Sequence, residues 1–276
     1  MNFNRNIGLH YSIRESYSEV ALRAYSAEAN IFQLFPIAEK QQKHFPVLKE
    51  DLSDFLDLRK NFNDIYIHSS FKINLATEIA KQKEISSYIF RKEIDIANKL
   101  EASYIVMHPG HATKRSKVSS SIKRLIDTLE SILSTENNVK LLLENVAHGK
   151  NAIGNNLDHF SIMRKMISKT EKIKFCVDLS HAFSYGYNIA NTEDFIQTLD
   201  ATMGIENIRL IHLNDTNERK GSRIDAHLPP GHGKIGKSTL QKLINHPKLK
   251  TIPIIIELPI NKEYDEKAIL DEVKTW

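Results

Sequence analysis

A single cysteine, Cys176, in 276 residues excludes an intramolecular disulfide, and with it the small stapled folds of secreted proteins. Its thiol is expected as a small buried hydrophobe in a strand. Long apolar runs are missing too. The opening MNFNRNIGLH has no signal-like apolar core, and no later segment approaches the ~18 uninterrupted apolar residues of a membrane span. With no low-complexity linker or composition shift, one domain over 1–276 is expected. Charge of one sign is only slightly in excess: a formal +4 permits a polyanionic partner without requiring one. Together these absences lead us to expect a cytoplasmic protein without membrane attachment.

Short β-rich runs recur along the chain: IGLH (7–10), IFQLF (31–35), DIYIH (64–68), YIVMH (104–108), KLLLE (140–144), KFCVD (174–178), IRLIH (208–212) and PIIIE (253–257). Segments with helical spacing, such as SEVALRAYSAEA, DLSDFLDLRKNF, ISSYIFRKEIDIANKL and SIKRLIDTLESIL, lie between them. Continuous apolar strands alternating with helices indicate a parallel sheet covered by helices. Eight such units in about 250 residues match an α/β fold of the (β/α)8 TIM barrel type. A doubly wound open sheet has the same sequence signature, since closure is not written in the runs themselves.

Twelve histidines are the most informative count, because of where they fall. Seven of the eight runs end in an ionisable residue: His10, His68, His108, Glu144, Asp178, His212 and Glu257. The second run is the exception and ends as LFP. In a barrel the strand C-termini converge on one mouth. Carboxylates and imidazoles crowded there leave uncompensated charge unless cations sit among them. The loops add His181, three residues past Asp178, and the pair Asp225 and His227 in GSRIDAHLPPGHG. Singly, such a His is most often hydrogen-bonded or solvated, and an Asp after a strand usually caps a helix. Jointly they point to a multinuclear metal centre, whose thiolate-free donors suit Zn²⁺, with Mn²⁺ or Fe²⁺ possible.

Two nucleotide motifs overlap at residues 231–238: GHGKIGKS fits G-x-x-x-x-G-K-S, and GHGKIG fits G-x-G-x-x-G. Both need a strand just before and a helix just after, so that backbone N–H groups face phosphate. HLPP precedes them here, and tandem prolines are poor strand residues. We therefore expect a flexible loop ending at an N-cap near Ser238, ahead of the helix TLQKLI, and no nucleotide cofactor.

The ordered segments IGLHYSI, FQLF, IHSSFKINLA, MHPG, LLLENVA, CVDLSHAFSYGY, IHLNDT, GSRIDAH, GHGKIG and IIIELP span almost the whole chain. In that order they resemble the endonuclease IV type of apurinic/apyrimidinic (AP) endonuclease, within the xylose isomerase-like TIM barrels. The resemblance implies three zinc ions, hydrolysis of double-stranded DNA 5′ to abasic sites, and base-excision repair as the setting. It assigns His68, His108 and a bridging Glu144 to the first ion. Asp178, His212 and Glu257 complete the second, and His181, Asp225 and His227 hold the third. Glu144 and Glu257 act catalytically as ligands and orienters, and His10 gives a supporting hydrogen bond. A monomer is expected.

Departures from the family pattern lie in the DNA-facing parts. PIAEKQQKHF replaces an Asn-Pro-Arg-like loop, Phe71 and Lys72 replace a Tyr-Leu wedge, and Ala226 stands where an Arg is usual. Phe71 can still stack on a base, whereas Lys72 is a poor apolar wedge. Lys72, Lys114, Arg115, Lys117, Lys150, Arg219, Lys220 and Arg223 are candidates to track a phosphate backbone, Arg223 foremost. The D-x-H-x-P-P-G loop is similar to sugar isomerases and epimerases of the same superfamily, which use fewer ions. That enzyme class is the alternative reading, and a non-catalytic binder of damaged DNA is a third.

Overall fold

The computed structural model describes residues 5–38, 43–113, 116–133, 138–259 and 264–276. Eight parallel strands close into a barrel: β1 (Ile7–Tyr11), β2 (Ile31–Leu34), β3 (Asp64–His68), β4 (Tyr104–Met107), β5 (Lys140–Glu144), β6 (Ile173–Asp178), β7 (Ile208–His212) and β8 (Ile254–Ile256). Each pairs with its sequence neighbours, and β1 closes the ring by pairing Gly8 with Ile255. The open doubly wound sheet is thereby excluded. The expected strands all form, although β8 stops one residue short of Glu257 and β4 one short of His108. A small antiparallel hairpin, Ile37–Ala38 with Lys43–His44, follows β2.

The helices between the strands are amphipathic and cover the barrel's outside. Helix Val118–Leu133 buries Ile122, Leu125, Ile126, Leu129, Ile132 and Leu133, a stripe of helical period. Helix Tyr17–Ser26 starts at Ser16, whose hydroxyl accepts the Glu19 N–H. Helix Lys237–Ile244 departs from expectation. Its N-cap is Gly236, at φ 81, and Ser238 lies inside the first turn. The loop before it is tethered: the buried Asp215 carboxylate accepts the backbone N–H groups of Ile235 and Gly236.

Inside the barrel, Ile31, Tyr66, Val106, Leu142, Cys176, Leu210 and Ile255 form their own apolar cluster, apart from the core between sheet and helices. Gly8 completes this layer, and no side chain would fit there, because a Cβ would fall 1.8 Å from the Ile31 carbonyl oxygen. Strand side chains alternate with a period of two, so the next inward layer toward the C-terminal ends lies two residues further on. Those positions are His10, Gln33, His68, His108, Glu144, Asp178, His212 and Glu257. An apolar floor thus carries a polar layer to which every strand contributes.

Candidate metal centre

Glu144 sits at the hub of that polar layer, fully buried. Its Oε2 lies 3.1 Å from His68 Nε2 and 3.3 Å from His108 Nε2, and its Oε1 lies 2.9 Å from His212 Nδ1. Glu257 Oε2 is 3.4 Å from His212 Nδ1 and 3.5 Å from His227 Nδ1. Asp178 divides its oxygens. Oδ1 caps the helix Leu179–Tyr185 by accepting the His181 N–H and the Ser180 hydroxyl, while Oδ2 lies 3.6 Å from His227 Nε2. Asp178 thus caps a helix with one oxygen and turns the other toward the cluster.

His181 and His227 approach each other with their Nε2 atoms 3.3 Å apart, and Asp225 Oδ1 is 3.1 Å and 3.4 Å from them. Among the described residues, three groupings have donor atoms close enough to share an ion: His68, His108 and Glu144; Glu144, Asp178, His212 and Glu257; and Asp178, His181 and His227. Asp178 thus stands between the second grouping and the third, where the resemblance assigns Asp225. Asp225 is the most exposed of the nine residues, and it also faces His148, at 3.8 Å.

Backbone carbonyls orient two of the rings. His68 Nδ1 lies 3.0 Å from the Ser69 oxygen and His181 Nδ1 2.8 Å from the Asn145 oxygen, so each Nδ1 carries the hydrogen and each Nε2 faces the cluster. Burial alone would raise the Glu144 pKa, but the imidazoles of His212 and His108 outweigh it and hold the carboxyl well below the usual range. Glu257 is likewise pulled down to about 2, against burial, by His212 and His227. Against burial, which lowers both, His181 is raised well above 6.5 by the Asp178 and Asp225 carboxylates, and His212 by Cys176 and then the Glu257 and Glu144 carboxylates. Ionised carboxylates and convergent imidazole nitrogens, with no thiolate, form a donor set that fits zinc or a similar divalent cation.

Residues absent from the sequence expectations hold this set in place. Asn145 pairs with the Asp178 backbone through both ends of its amide, at 2.9 and 2.8 Å. Asn214 donates to Asp178 Oδ2 and Glu257 Oε2 and accepts the Glu257 N–H. Each Asn follows a candidate ligand closely in LLLEN and HLND, and that adjacency is the signal that was available.

Over the cluster opens a cleft of about 640 Å³ lined by His10, Phe35, His68, His108, His227 and Glu257 among others. A second lobe of about 650 Å³ runs past His111, Val146 and His148, and Phe71, His108 and Asp225 border both lobes. Phe71 is 66% exposed, yet its ring rests on Phe35, His68 and His108 at 5.2–5.5 Å. The Phe71 loop is held from below by buried Glu93, which accepts the Ser70 N–H. Lys72 is exposed beside it. Arg223, at φ 60, lies over Tyr185, 4.4 Å from the ring centre, at the end of the helix Leu179–Tyr185. Lys117, Lys150, Arg219 and Lys220 are exposed, and Lys114 and Arg115 lie outside the described residues. At the nucleotide-like motif, Lys237 Nζ donates to Glu272 at 2.8 Å and lies over Trp276. Two prolines and an isolated bridge at Leu228 precede the motif in place of a strand.

The sequence profile described as xylose isomerase-like TIM barrel matches residues 22–276. A probable endonuclease 4 from Thermosipho africanus is 30% identical over 275 residues, covering 97% of each chain. The chain belongs to the xylose isomerase-like TIM barrel family, in its endonuclease IV branch. Among solved structures, endonuclease IV from Thermus thermophilus superposes with a TM-score of 0.83 at 24% identity, covering 98% of this chain and 97% of that one. A D-tagatose 3-epimerase-like protein superposes at 0.73 and 19% identity, covering 97% and 96%. Both structural likenesses concern the fold.

Proposed function

We propose that this protein is a zinc-dependent AP endonuclease that hydrolyses the DNA phosphodiester bond 5′ to abasic sites, leaving 3′-hydroxyl and 5′-sugar phosphate ends, in base-excision repair. The observation that carries this reading is the convergence of five imidazoles and four carboxylates at one barrel mouth. His68, His108 and Glu144 would hold one ion, and Glu144, Asp178, His212 and Glu257 a second. His181, Asp225 and His227 would hold the third, with Mn²⁺ as a possible substitute for Zn²⁺. When bound, such ions make hydroxide available near neutral pH and offset charge building on phosphate oxygens. Four carboxylates against three dications leave a net +2, which favours an anionic phosphodiester over a neutral sugar.

Glu144 and Glu257 act as catalytic orienters, held by the imidazoles and by Asn214. Phe71, on the wall shared by the two lobes, offers an aromatic face to an exposed base or sugar. Lys72 and Arg223 provide phosphate-backbone contacts, and a cytoplasmic monomer suffices for all of these roles. Among the described residues no helix is long and apolar enough to cross a membrane. The test is a duplex carrying one abasic analogue, incubated with and without a chelator. A chelator-sensitive nick 5′ to the lesion is expected, and its absence at stoichiometric enzyme would refute the proposal. Ala226 and the following LPPGHG favour the alternative, a metal-dependent sugar isomerase or epimerase. That alternative predicts one or two ions and turnover of a small ketose.

A further inference from the structure

Gln33 is the contribution of β2 to the polar layer, and it is fully buried. Its Nε2 lies 2.8 Å from Glu257 Oε1 and 2.8 Å from His10 Nδ1, and its Oε1 lies 3.1 Å from His212 Nε2. The orientation of this amide follows from its partners. A carboxylate only accepts, so the NH₂ end must face Glu257; the flipped amide would set two acceptor oxygens against each other with no hydrogen between them. The oxygen end then faces His212 and requires a donor there. His212 Nε2 must therefore carry hydrogen, whether the ring is neutral or protonated.

We propose that Gln33 is a positioning residue that fixes His212 with its hydrogen on Nε2, so that Nδ1 is the ring atom offered to a cation, while the same amide anchors Glu257. The geometry on the other side of the ring agrees: Nδ1 faces Glu144 at 2.9 Å, Glu257 at 3.4 Å and Asp178 at 3.9 Å. A single uncharged amide thereby orients a nitrogen and an oxygen donor of one grouping together, without adding charge to a crowded centre. The proposal rests on the metal-centre reading above. It distinguishes His212 from His68 and His181, whose carbonyl partners place the hydrogen on Nδ1 and leave Nε2 for the cluster. His10 joins His212, since its Nδ1 accepts from Gln33 and its hydrogen falls on Nε2.

Long-range ¹H–¹⁵N spectra of ¹⁵N-histidine protein, zinc-loaded and chelated, read this pattern directly, with signals assigned through single His→Gln variants. His212 and His10 are expected with Nε2 protonated, and zinc-loaded His68 and His181 with Nδ1 protonated. A bare Nε2 on His212 in either state overturns the proposal. In parallel, Gln33→Leu is expected to weaken zinc binding about ten- to hundredfold in chelator competition, with the circular dichroism of the chelated protein unchanged. Unaltered zinc affinity in that variant overturns the positioning role. Should Gln33→Leu fail to fold, the wild-type spectra decide. A chain that takes up zinc but cuts no DNA leaves this inference standing and sinks the nuclease proposal. A chain that takes up no zinc sinks both.

Discussion

Replacing Asp215 by Asn should loosen one loop while leaving the barrel intact. Asp215 Oδ1 accepts the backbone N–H groups of Thr216 at 2.7 Å and Ile235 at 3.0 Å, and Oδ2 accepts that of Gly236 at 3.1 Å. Its own backbone pairs with Leu228 in both directions, and Lys234 donates to the Thr216 carbonyl. The segment between these ties carries Asp225 and His227. Gly233 presses against the same carboxylate, where a Cβ would fall 2.4 Å from Oδ1. Asparagine removes the charge and turns one acceptor into a donor facing an N–H, which leaves a buried group unsatisfied at about 1–3 kcal/mol. Weakening the two remaining charge-assisted bonds adds about 1 kcal/mol, for a total of roughly 2–4 kcal/mol. At about 1.4 kcal/mol per tenfold, the open population of the loop rises roughly 30- to 1,000-fold. Trypsin reads this at Arg219, Lys220 and Arg223, which are exposed in the segment. The variant should be cut there much faster than wild type, and it should bind one zinc fewer. Equal cleavage rates with an undiminished zinc count would refute the reasoning.

Gly8→Ala should destabilise the whole barrel by about 3 kcal/mol or more, because its Cβ meets the Ile31 backbone and β1 and β2 cannot both keep their places. A melting temperature within about 2 °C of wild type would contradict this. Cys176 is fully buried and its thiol is pushed up to about 12 by burial, so thiol reagents at pH 8 should leave the native protein untouched and modify one group per chain in denaturant. Rapid reaction of the native protein would show that the floor of the barrel opens. Phe71→Ala should raise KM for an abasic duplex about tenfold with kcat within about threefold, as expected for the loss of one stacking face. Steady-state kinetics showing the reverse split would place Phe71 in the chemical step instead.

The eight strands were legible because each is a short β-branched or aromatic run with little polar interruption. Closure was not, since the pairing of β1 with β8 joins residues some 250 positions apart and leaves no local trace. Most of the cluster could be read because ionisable residues end apolar runs, an arrangement that is costly without compensation. Gln33 escaped because it is neutral and lies inside its run. Counting by twos from Ile31 would have found it, as the same step from Tyr66 leads to His68. Ser238 was a reasonable N-cap on local rules, and Gly236 took the position because Asp215, 21 residues away, holds its N–H. Asn145 and Asn214 were hidden for the same reason, as their partners lie at the ends of other, sequence-distant strands or just past them.

The central claim is a centre for three divalent cations built from these nine side chains. Elemental analysis of protein purified without added metal, then stripped with chelator and reloaded with zinc, tests it most directly. Three zinc ions per chain, falling to two in His227→Gln, is the expected result; one ion or none after reloading would contradict the account.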